Sequence, residues 1–171
     1  LGDYFTRMLL HKGYSFEQNN SLAPMVSIFA LSMIAVGLAA PAAMSHVREI
    51  VAISIALSGF FATSAALLMI VMLVIGFHTM LTHGIRVEAA PSLWLMIPIT
   101  TLLGITFMRT SHGMGEALGG HISSAETYAV LVAIFSVQLI FGMIGYVVMK
   151  RLNYFKDFIH GEKIHATTYA L

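Results

Sequence analysis

Four long stretches of this sequence carry no charged side chain: Asp, Glu, Lys and Arg are absent from 22–47, 50–85, 89–108 and 127–149. A helix crossing a hydrocarbon core of about 30 Å needs about 20 consecutive apolar residues, and each stretch supplies them. The expected fold is an all-α membrane protein whose four transmembrane helices form helical hairpins. Composition agrees, with 58% of the 171 residues hydrophobic and 10% charged. A soluble domain carries about 25% charged residues, so this chain lacks the polar surface to face water all round. It does not read as a soluble enzyme, and no catalytic residue is expected.

The stretches divide the chain. Residues 1–21 read as a cytoplasmic segment or the end of a preceding helix; they close on Gln18-Asn19-Asn20-Ser21, a loop and helix N-cap signal. Spans are expected at 22–45, 49–77, 92–108 and 125–149, and 150–171 reads as a cytoplasmic loop and the start of a further helix. Trp94, Tyr146, Tyr154 and Phe155 mark membrane interfaces, where aromatic belts form. The chain opens on Leu1 and stops just after a new apolar run begins at Ala166, which reads as a piece of a longer polypeptide. Lys and Arg in short loops set orientation. Seven of them (Arg7, Lys12, Arg86, Lys150, Arg151, Lys156, Lys163) fall on the side of the two ends, against two (Arg48, Arg109) opposite. Both ends are therefore expected in the cytoplasm, of a bacterial inner membrane. Nine basic residues against eight acidic ones, without a basic face, give no signal for nucleic acid. Without cysteine there is no disulfide, thiolate metal site or cysteine nucleophile.

Proline separates the spans into two kinds. Pro41 and Pro98 fall in the first and third, and neither the second nor the fourth contains one. An internal proline removes a backbone hydrogen bond, and in lipid the freed carbonyl is tolerated where it is buried or lines a watery cavity. The first and third spans start 70 residues apart, at Leu22 and Ser92. This spacing reads as a repeated hairpin of one kinked inner helix and one straighter outer helix; four spans of similar length would also give it by chance.

The stretch GIRVEAAPSLWLMIPITTLLGI, from Gly84 to Ile105, resembles the tellurite-resistance/dicarboxylate transporter family, which includes plant slow anion channels, the yeast sulfite exporter and malate permease. Asn153-Tyr154-Phe155-Lys156-Asp157-Phe158, followed by Ala166 to Leu171, is similar to the approach to that family's ninth helix. The resemblance implies ten helices in five hairpins, with odd-numbered inner helices around a pore, a trimeric assembly and cytoplasmic termini. The four spans would be helices five to eight. The family's gating phenylalanine lies in the ninth helix, beyond Leu171, and transfers to no position here.

Transport needs polar groups at membrane depth rather than bond-making chemistry. Thr100, Thr101 and Gly104 beside Pro98, and Ser27, Ser32, Gly37 and Pro41 on the first span, are the pore-lining candidates. Their hydroxyls and freed backbone groups would supply the weak, reversible contacts that conduction requires. Small residues also serve close helix packing in membranes, which is the competing reading of both sets. That reading is preferred for Ser54, Ser58, Gly59, Thr63 and Ser64 on the second span and for Gly142 and Gly145 on the fourth. Gln138 is expected to bond a neighbouring helix or to lie in a subunit interface.

No ionisable residue is expected at mid-membrane, which argues against a proton pump. His46 and His112 form one candidate haem pair, and His112 with His121, in a Gly-rich loop at 111–116, one candidate metal pair. Interfacial, pH-sensitive histidines are the preferred reading, so no cofactor or metal is expected. The twelve methionines read as packing residues. The expected function is passive transport of a small anion by a homo-oligomer in a lipid bilayer. Two other classes stay open: a non-transporting subunit of a larger complex such as a respiratory one, and a haem-binding electron carrier.

Overall fold

A computed structural model describes residues 22, 24–85, 87–120 and 123–155. The expected segment at 1–21 lies outside them, as does 156–171 of the one expected at 150–171. The described chain is helical, with α1 at Met25–Leu38, α2 at Ala40–Met44, α3 at Arg48–His83, a 3₁₀ segment at Val87–Leu95, α4 at Met96–Leu118 and α5 at Ser124–Arg151. Four stretches are long and apolar enough to cross a membrane: Met25–Met44, Arg48–His83, Ala89–Glu116 and Ser124–Arg151. The protein is an all-α membrane protein.

Local chemistry sets the ends of these helices. Ser123 accepts from the Glu126 amide at 3.1 Å while Glu126 accepts from the Ser123 amide at 2.8 Å, a reciprocal cap that starts α5. Gly84, with φ of 76°, stops α3. Gly119, with φ of 69°, stops α4, and the Gly120 amide reaches back to the Met114 carbonyl at 2.9 Å. A left-handed glycine, free of the Cβ penalty, is a common way for a helix to end.

The second and third spans end later than expected: α3 runs to His83 rather than to residue 77. The third span does not stop at Met108; α4 runs to Leu118, so Arg109 to Glu116 are helical. Residues 111–116 are therefore not a Gly-rich loop, and His112 and Glu116 are an exposed pair one turn apart, 3.6 Å between nitrogen and oxygen. Pro98 does not interrupt a helix midway either. It is the third residue of α4, where the chain passes from 3₁₀ to α geometry. Amides in an opening turn have no partner within their own α-helix, so the missing N–H costs little.

The longest helix, α3, packs against α1, α2 and α4 and buries a stripe of Val51, Ser58, Ala65, Met72 and Thr79. These residues recur every seven positions, the spacing that keeps one stripe facing a partner in left-handed helix packing. Ser54 and Gly76 flank the stripe, and Leu22 seats its side chain on Gly76. Gly59, Thr63 and Ser64 turn away from it; the two hydroxyls donate to their own helix, at Gly59 and Phe60. Helix α4 is central, touching α1, α2, α3 and α5. Its Met96 and Ile99 join Met25, Ile28, Ala65 and Met72 in the core. Helix α5 lies outermost, with 6% of its apolar stretch buried.

Candidate functional site at a break in the first span

The first span is two helices. α1 ends at Leu38, Ala39 stands between, and α2 begins at Ala40 with Pro41 in its first turn. Such a break leaves backbone carbonyls without their helical donors, and at membrane depth those carbonyls need others. Side chains from two neighbouring helices supply them. The Arg109 guanidinium of α4 donates to the Val36 carbonyl at 2.7 Å, and the Ser54 hydroxyl of α3 donates to the Leu38 carbonyl at 2.5 Å. Next along the chain, α4 comes so close to α2 that a Cβ built on Gly113 would overlap the Ala42 carbonyl oxygen.

Arg109 lies within the apolar stretch Ala89–Glu116, seven residues before its end. At 1.5 Å per residue this is about 10 Å inside the end of that stretch. The expected end of the third span at Met108 left Arg109 outside it, whereas the longer apolar stretch takes it in. A permanent cation sits in the third span, half-buried, and no carboxylate lies within ion-pair distance of it among the described residues. Sequence windows stop at a charge. The partner that makes this one tolerable is a carbonyl 73 positions away, on another helix.

The first and third spans run parallel and in register. The Leu22 amide donates to the Ser92 hydroxyl at 2.9 Å, a separation of 70 residues, and Arg109 meets Val36 at a separation of 73. The first offset equals the 70-residue spacing of the expected span starts, and the second is three residues longer. The prolines do not share the register: Pro41 sits at the break, and Pro98 in the opening turn of α4.

The remaining candidates scatter. Ser27 is half-buried and donates to the Pro24 carbonyl at 2.7 Å; Ser32 is fully buried and donates to Ile28 at 3.0 Å. Thr100 is buried and donates to Met96 at 2.7 Å, while Thr101 is exposed and donates to Ile97 at 2.7 Å. Each of these hydroxyl protons is held by the backbone three or four residues earlier, so none is offered as a donor to an ion. Adjacent helical residues point about 100° apart, which sends Thr100 into the core and Thr101 toward α5. There Thr101 accepts a 2.9 Å hydrogen bond from Gln138 Nε2. Gly104 also faces α5, under the Ile134 side chain. Gly37 and Pro41 are exposed on α1 and α2, and a Cβ on Gly37 would meet nothing within 4 Å.

His46 and His112 are both exposed, at the ends of their spans. His121 lies outside the described residues. Among the described residues, no group of three or more His, Cys, Asp or Glu side chains could hold a metal ion. Compared with protein-family models, curated proteins and solved structures, the chain matches none.

Proposed function

We propose that this chain forms part of a membrane path for small anions, with the first and third spans as its inner helices. The observation that carries the reading is Arg109, a fixed positive charge inside an apolar stretch, bound to the broken span beside it and facing no carboxylate among the described residues. In a medium of low dielectric a fixed cation attracts anions and repels other cations far more strongly than in water. Ionisable side chains within a span mark ion routes for that reason. The parallel register of the two inner spans supports a repeated-hairpin architecture. The resemblance of Gly84 to Ile105 supports a bundle of ten helices in five hairpins, of the tellurite-resistance/dicarboxylate transporter kind. In that frame the assembly is a trimer in a bacterial inner membrane, with both ends of this segment cytoplasmic.

The test is ion flux through the whole protein reconstituted in liposomes. Nitrate or chloride efflux with little potassium efflux is the expected result; no flux above empty liposomes would overturn the reading. A second reading is favoured by the outermost helix. With so little of α5 covered, the chain is a scaffold subunit packed against other membrane proteins. Stable co-purification of partners from native membranes, with no conductance from the isolated protein, would select it.

A further inference from the structure

The break in the first span contains a comparison of its own. Two carbonyls are satisfied there by side chains from other helices, one by a serine hydroxyl and one by an arginine. Ser54 shows that a neutral hydroxyl suffices for a freed carbonyl at this place. A guanidinium is a far costlier group to hold at membrane depth, so capping alone does not account for Arg109.

Its hydrogen-bond inventory is also incomplete. A guanidinium carries five N–H donors in a planar fork. One is given to Val36, and no other acceptor meets Arg109 among the described residues. Donors left unmade away from water cost free energy, and water or an anion would satisfy them. Next to Val36 the chain itself is uncovered. Gly37, the next residue, is exposed and open, and Pro41 one turn on is exposed as well.

We propose that Arg109 is an anion-binding residue, and that the space beside Gly37 admits a small planar oxyanion onto the free edge of its guanidinium. Two parallel N–H donors fit two oxygens of one carboxylate or nitrate, whereas a halide takes only a point contact. The Val36 carbonyl anchors one end of the fork, and the open side at Gly37 leaves room for an approach. This inference rests on the reading of the chain as an anion path and names the residue that holds the ion.

Binding tests it separately from flux. The thermal unfolding midpoint of the detergent-solubilised full protein is measured against sodium nitrate and sodium formate, with sodium chloride at equal ionic strength as reference. A saturable rise with nitrate and formate, exceeding that with chloride, is expected for the natural protein. Arg109→Gln should abolish it, and Arg109→Lys should retain binding but lose the preference for planar anions. A Cβ at Gly37 meets no neighbour within 4 Å; Gly37→Leu extends a side chain into that space and should weaken apparent affinity by about tenfold, about 1.4 kcal/mol. If Arg109→Gln fails to fold, Gly37→Leu decides. No saturable rise in the natural protein, the same rise in Arg109→Gln, or unchanged affinity in Gly37→Leu overturns the site. Binding that survives where liposome flux is absent would sink the transport reading and leave the site standing.

Discussion

The Trp94 indole fills the space that a side chain at residue 145 would need, and its Nε1–H donates to the Gly142 carbonyl at 3.2 Å. This pins the outermost helix, α5, to the 3₁₀ segment that opens the third span. A Cβ on Gly145 would overlap Nε1 and Cδ1 of the ring, whereas one on Gly142 would meet only Ile97 Cδ1, at 3.8 Å. Gly145→Ala should therefore destabilise the protein by about 1–3 kcal/mol, the usual cost of overpacking a tight contact. Gly142→Ala should stay within about 0.5 kcal/mol, as substitutions away from such contacts do. Reversible unfolding in mixed micelles measures both, and equal stabilities would refute the wedge.

A second pair of glycines separates close packing from open space on the first span. Gly113 faces the Ala42 carbonyl, a backbone atom that cannot rotate aside. Gly113→Ala should cost about 1–3 kcal/mol by forcing α4 away from α2. Gly37 lies in helical backbone with nothing near its missing Cβ. Gly37→Ala should be neutral or stabilise by about 0.4–1 kcal/mol, because alanine reduces the freedom of the unfolded chain. The same unfolding measurement checks the pair; a stability loss in Gly37→Ala as large as that in Gly113→Ala would contradict the geometry.

These contacts show where sequence reasoning reached and where it stopped. The spans were legible because hydrocarbon thickness demands a run of apolar residues, and the start of α5 was written in Ser123 and Glu126. The end of α4 was written too, in Gly119 and Gly120, but Arg109 interrupts the apolar run first and a window on charge halts there. What makes the charge tolerable is a carbonyl on a distant helix, and no local pattern announces it. The hydroxyl candidates show a different limit. Serine and threonine within helices donate back to their own carbonyls, so Ser32, Thr100 and Thr101 are polar by composition and spent by geometry. Proline signalled correctly at Pro41, where the helix breaks, and not at Pro98, which sits in an opening turn.

Gln138 joins α5 to α4 through its amide donor on the Thr101 hydroxyl, itself bonded to Ile97. Such interhelical bonds in membranes average about 0.6 kcal/mol and reach about 1.7. Gln138→Leu and Thr101→Val should each cost about that much, and the double variant should cost less than their sum. A double-mutant cycle on unfolding free energy reads the coupling directly. Strict additivity would mean that the pair carries no shared energy.

Ser54 and Ser58 lie one turn apart on α3, and both are buried, yet they do different things. Ser54 donates across to the Leu38 carbonyl at the break, whereas Ser58 donates to Ile55 of its own helix, at 3.2 Å. Removing the Ser58 hydroxyl deletes a bond within the helix and strands no group on another one, so Ser58→Ala should be nearly neutral. Removing the Ser54 hydroxyl leaves a carbonyl of the broken span without the side-chain donor it has here, and an unsatisfied buried acceptor costs about 1–3 kcal/mol. Ser54→Thr preserves the donor and should recover most of the loss if the added methyl is accommodated. Because α1, α3 and α4 meet at this point, the loss should also appear as faster amide exchange around Ala39 and Ala40, in a region Ser58→Ala leaves protected. Matching stabilities for the two alanine variants, with no local change in exchange, would mean that the break does not depend on its serine.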